Sequence, residues 1–89
     1  MIFIDTKTKL KYNTDKMEMI SCKCKIRIRF GVVLKGKIYK SKKGNWLGVA
    51  RWANGEEEAK TLSKDEVKQI LLSNDVEAYE KVFGKLKEA

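Results

Sequence analysis

Hydrophobic and polar positions alternate along the first two-thirds of the chain, and the period changes near its end. Ile2, Ile4, Thr6, Thr8, Leu10 and Tyr12 oppose Phe3, Asp5, Lys7, Lys9 and Lys11. This period of two suits one long strand, or a short strand followed by a second. Asn13-Thr14-Asp15-Lys16 reads as a turn. A second alternation runs from about Met17 to Phe30. Within ISCKCKIRIRF, Ile20, Cys22, Cys24, Ile26, Ile28 and Phe30 are apolar, whereas Lys23, Lys25, Arg27 and Arg29 fill the intervening positions. Gly31 is expected to bend the chain. Residues 32–34 and 37–39 read as a strand pair or one interrupted strand, with Lys35-Gly36 turning between them.

Ser41-Lys42-Lys43-Gly44-Asn45 has the composition of a hairpin loop. The strand after it places Trp46, Gly48, Ala50 and Trp52 on one face. Asn54-Gly55 predicts a type I′ turn, which needs positive φ at both central residues. Residues 57–62 then return as the last strand.

Beyond that point the pattern is helical. Ser63-Lys64-Asp65-Glu66 is a capping box, in which the serine hydroxyl and the Glu66 carboxylate each satisfy a backbone N–H of the other. It predicts a helix over about residues 64–72 with Val67, Ile70 and Leu71 on one side. Asn74-Asp75-Val76-Glu77 starts a second helix, whose stripe is Val76, Tyr79, Val82, Phe83 and Leu86. The stripe is expected to pack on the sheet; the alternative is a homodimer seam. The predicted fold is α+β: one domain over residues 1–89, with an antiparallel sheet of four or five strands (about residues 2–62) and two short C-terminal helices packed on one face.

Composition adds constraints. The 89 residues contain no proline and no histidine. Without proline, nothing forbids long strands or uninterrupted helices. Without histidine, the commonest general base is missing, and no phosphate loop, GxSxG elbow or HExxH element appears. The expectation is a protein that is not an enzyme and carries no cofactor. Cys22 and Cys24 cannot complete a tetrahedral zinc site within one chain, and as i, i+2 neighbours on a strand they are read as two small apolar residues of a reduced core. No apolar run approaches the ~18 residues of a membrane span. The opening MIFID is too short to read as a signal peptide, so a cytoplasmic location is expected.

The net charge of +8 is unevenly placed. Residues 1–52 carry fourteen basic and three acidic side chains, whereas residues 53–89 carry six basic and nine acidic ones. Such a domain presents one basic side to a polyanion. If the apolar row of ISCKCKIRIRF faces the helices, Lys23, Lys25, Arg27 and Arg29 line the opposite face. Cross-strand pairing with Glu56, Glu57 and Glu58, or simple solvation, is the competing explanation of that row. Lys40, Lys42 and Lys43 add charge beside Trp46, with Arg51 in the following hairpin. Trp46, or Tyr39, is a candidate surface for base stacking.

The order strand–turn–strand–capped helix, with GNWLGVARWANG leading into TLSKDEV, resembles compact single-stranded DNA-binding domains. It equally resembles the small sheet-plus-helix DNA-binding domains at integrase N-termini. The resemblance covers less than half the chain, and the second helix and long N-terminal strand depart from it. From the basic strand face and the adjacent basic loop, the expectation is a small nucleic-acid-binding protein (DNA or RNA, single strands slightly favoured) that contacts phosphates through Lys23, Lys25, Arg27, Arg29, Lys40, Lys42, Lys43 and Arg51, with Trp46 stacking. The alternative is a phage or mobile-element protein whose basic surface binds and inhibits a host protein or nucleoprotein complex.

Overall fold

In the computed structural model, which describes residues 1–89, the alternating segments are strands and the helical pattern is two helices. In chain order they are β1 (Ile2–Asp5), β2 (Leu10–Asn13), β3 (Glu18–Arg27), β4 (Val33–Lys40), β5 (Trp46–Arg51), β6 (Glu57–Leu62), α1 (Lys64–Asn74) and α2 (Val76–Phe83). β1 and β2 form a separate hairpin, and β3-β4-β5-β6 form a four-stranded antiparallel meander. The first alternating segment is therefore two short strands. Asp5 stops the first: its carbonyl accepts from the Lys9 N–H at 2.7 Å and its carboxylate from the Lys7 N–H at 3.0 Å.

β3 is long enough to bend, and two irregularities in its pairing with β4 bend it, between Met19 and Ser21 and between Ser21 and Cys24. Each adds one residue to β3, which kinks the strand and increases its twist. The second changes the phase of the side chains. Cys24 is buried, while Cys22 is exposed, so the two cysteines do not share a face as the alternation predicts.

β4 is continuous, and Lys35-Gly36 is not a turn. Gly36 is required for a different reason. A Cβ there would lie 2.5 Å from Ile26 Cγ1 and 2.6 Å from the Val49 carbonyl oxygen, so only glycine lets β3 and β5 coil this tightly over β4. The coiling brings the two outer strands within reach of one lysine: Lys60 Nζ on β6 donates to the Arg27 carbonyl on β3 at 3.2 Å.

The loops after β4 and β5 have the same form. Ser41 N–H bonds the Asn45 carbonyl and Gly44 N–H the Ser41 carbonyl; Trp52, Glu56 and Gly55 repeat the arrangement. Only the glycines are left-handed, with φ of 88° at Gly44 and 90° at Gly55. These are three-residue loops ending in a left-handed glycine, rather than the type I′ turn that Asn54-Gly55 predicts.

Each face of the sheet has its own core. On the inner face, Cys24, Ile26, Ile28, Ile38, Trp46, Ala50 and Leu62 pack against Val67 and Leu71 of α1 and Ala78 of α2. On the outer face, Leu47 and Val49 pack against Tyr12, with Phe3, Tyr39 and Ala59 around them. The β1–β2 hairpin thus covers part of the face opposite the helices. α1 has the expected box: Glu66 N–H to Ser63 Oγ at 3.1 Å and Ser63 N–H to Glu66 Oε1 at 3.0 Å. α2 begins at Asp75, which accepts from the Ala78 N–H at 3.2 Å, and ends at Gly84. From the predicted stripe, Tyr79, Val82 and Phe83 pack on the core, whereas Val76 and Leu86 remain exposed.

Candidate nucleic-acid interface

Side chains directly opposite each other in an antiparallel pair share a face. Leu47 and Val49 point to the outer face, so Arg51 of the same strand does too. Lys37 stands opposite Val49, which places Lys37 and Lys35 there. Lys25 stands opposite Lys35, and Arg27 opposite Val33. The part of the outer face left free by the hairpin therefore carries Lys25, Arg27, Lys35, Lys37 and Arg51, all exposed. Cys22 and Glu57 join Lys35, Lys37 and Arg51 around a hollow of about 130 Å³.

These five cations take no part in the ion pairs of the structure. The pairs are Arg29 with Glu58 at 2.7 Å, Lys60 with Glu66 at 3.9 Å, and the N-terminal amine with Asp15 at 4.0 Å. Glu57 is directly opposite Arg51 without closing a pair. Like charges facing each other across a strand pair are destabilising, and Lys25 opposite Lys35 is such a pair. A larger groove, about 520 Å³ between β3 and α1, has Asp65 and Glu66 beside Lys25 and Arg27, so its charge is mixed.

The sequence-predicted row is thus only partly assembled. Lys25 and Arg27 lie on the basic face. Lys23, shifted by the bulge, lies beside Asp75 at the start of α2, whose carboxylate it helps to hold below the ordinary range. The leading cause of that lowering is the Ser21 hydroxyl, which donates to Asp75 Oδ2 at 2.6 Å. Ser21 Oγ also accepts from the Lys23 N–H at 3.2 Å and lies 3.2 Å from Cys24 Sγ, so this buried hydroxyl ties the bulge to α2. Arg29 lies beyond β3 in the turn and is engaged by Glu58, which also accepts from Trp52 Nε1 at 3.3 Å.

Comparison with protein-family models, with curated proteins and with solved structures finds no match.

Of the other predicted residues, Lys40, Lys42, Lys43 and Trp46 fall outside the basic face. Lys40 stands over the Trp46 ring at 5.3 Å, five residues or about 17 Å along β4 from Lys35. Lys42 and Lys43 occupy the exposed loop beyond it. Trp46 is no stacking platform: it is 7% exposed, with Phe83 packed 5.8 Å from it, because its strand position points to the inner core. Arg51 is on the face, as the hairpin pattern suggests. Lys35 and Lys37 are the residues missed. Their alternation with Leu34, Gly36 and Ile38 is visible in the chain, but reading Gly36 as a turn conceals it.

Phe30 is also displaced from the apolar row. It is 94% exposed, at φ 59° and ψ 23°, in a turn where the Val32 N–H bonds the Arg29 carbonyl at 3.3 Å. No helix is long and apolar enough to cross a membrane, and no group of three or more His, Cys, Asp or Glu side chains is placed to hold a metal.

Proposed function

We propose that the chain is a non-enzymatic nucleic-acid-binding protein whose phosphate-contacting surface is the free outer face of β3, β4 and β5. The observation that carries this reading is the set of five exposed cations, Lys25, Arg27, Lys35, Lys37 and Arg51, without an ion-pair partner, two of them directly opposed across a strand pair. Solvation alone needs no such crowding, and edge protection does not account for charge on the central strands β4 and β5. A polyanion laid over the face removes the repulsion and gains free energy by releasing its condensed counterions. Single strands fit better than duplex, because a broad strand surface enters a groove less readily than a helix does.

The test is a fluorescence-anisotropy titration with single-stranded DNA, duplex DNA and RNA over a range of salt. Five neutralised phosphates on a single strand give a slope of log K against log salt of about −3.5. Changing Lys25, Arg27, Lys35, Lys37 and Arg51 to Ser removes binding, whereas changing Lys42 and Lys43 to Ser leaves most of it. Failure of the unmodified protein to bind any of the three at low salt overturns the reading and turns the basic face towards an acidic protein partner.

A further inference from the structure

The turn between β3 and β4 spends conformational freedom without any gain to the fold. Phe30 and Gly31 are its central residues, and both have positive φ, 59° and 72°. This is the geometry for which Asn-Gly or Gly-Gly is preferred, since a bulky side chain is strained in the left-handed region. The Phe30 ring recovers nothing by packing, because it is 94% exposed. Two unfavourable features at one residue, a strained backbone and a bare aromatic ring, point to a contact outside the chain.

The turn is also held firmly. Arg29 is bonded to Glu58 at 2.7 Å, Glu58 accepts from Trp52, and the Arg27 carbonyl accepts from Lys60. The ring therefore projects from an anchored tip. It ends the ribbon that carries Lys25, Arg27 and Lys35, in the turn that follows Arg27. An aromatic ring at the end of a basic track is the arrangement that stacks an unpaired base while cations follow the backbone.

We infer that Phe30 is a base-stacking fingertip, which takes an unpaired nucleobase of a strand whose phosphates run over Lys25, Arg27 and Lys35. The inference rests on the proposed nucleic-acid-binding face, and it adds a second, uncharged contact to it.

The experiment compares the unmodified protein with Phe30→Asn on two labelled probes of equal length: oligo(dT), and the corresponding abasic oligodeoxynucleotide, which has the phosphates and no bases. Asparagine suits the left-handed position, so the variant keeps the fold, checked by its thermal midpoint. The expected result is that the unmodified protein prefers oligo(dT), and that Phe30→Asn loses about tenfold on oligo(dT) while its abasic binding and salt slope stay unchanged. A Phe30→Trp variant gives a second readout: quenching of the added indole by oligo(dT) and not by the abasic probe. Equal binding of oligo(dT) by Phe30→Asn and the unmodified protein, or equal binding of both probes by the unmodified protein, overturns the stacking inference and leaves the basic face standing. No binding of either probe by the unmodified protein overturns both.

Discussion

Lys25 on β3 stands directly across the strand pair from Lys35 on β4, both exposed and neither in an ion pair. The arrangement costs the fold stability, and its removal separates stability from binding. Lys35→Glu replaces a like-charge pair by an opposite one, so the protein gains about 0.2–1 kcal/mol in urea denaturation. The same change weakens nucleic-acid binding and makes the salt slope shallower in anisotropy titrations. A variant that is less stable, or that binds as before, contradicts this account of the face.

Gly36→Ala tests the coiling of the sheet. The added methyl meets Ile26 Cγ1 and the Val49 carbonyl, and a backbone carbonyl cannot turn aside as a side chain can. The expected loss is about 1–3 kcal/mol, measured as a lower denaturation midpoint with an unchanged slope.

Ser21 and Asp75 make stability depend on acid. The Ser21 hydrogen bond leads in holding the Asp75 carboxyl below its ordinary 3.8, outweighing partial burial, with the Ala78 N–H and Lys23 assisting. A carboxylate lowered on folding contributes stability that is fully present above the unfolded value near 3.8. That contribution is lost as pH falls through the folded value. The midpoint of urea denaturation is therefore flat from pH 7 to about 5 in this contribution and falls below about 4. Ser21→Ala returns the Asp75 carboxyl towards its ordinary value, read by carboxyl NMR titration. It destabilises at neutral pH by about 1–3 kcal/mol and flattens the acid dependence.

The two thiols differ in reach. Burial pushes the Cys24 thiol above its ordinary 9.0, the Ser21 hydrogen bond opposing, so Cys24 stays protonated and inaccessible in the native state. One equivalent of a thiol reagent therefore reacts readily with the folded protein, at Cys22, and the second only on unfolding. Because Cys22 lies among Lys35, Lys37 and Arg51, attaching a bulky maleimide there reduces nucleic-acid affinity, measured by the same titration. Equal reactivity of both thiols in the folded state contradicts the bulged register.

The local elements were legible in the chain because their causes are local. The capping box at Ser63 and Glu66, the Asp75 cap and the helical spacing of Val67 and Leu71 act over one turn of helix. The glycines of the two loops and the period of two in the strands act over neighbouring residues. These residues determined an α+β domain with its charge gathered in the sheet half. The tertiary structure alone decided which charges meet. One extra residue in β3 changed the phase between Ser21 and Cys24, because a strand shifted by one residue exchanges its faces. Lys23 was carried towards Asp75, Cys22 came to the outer face, and Lys25 came opposite Lys35, a juxtaposition set by a partner strand ten residues away. Arg29 and Phe30 left the strand for the turn, where Glu58 anchors the arginine and leaves the ring bare. Gly36 looked like a turn because the reason for it lies in Ile26 and Val49, on other strands, and no local pattern records a contact of that kind.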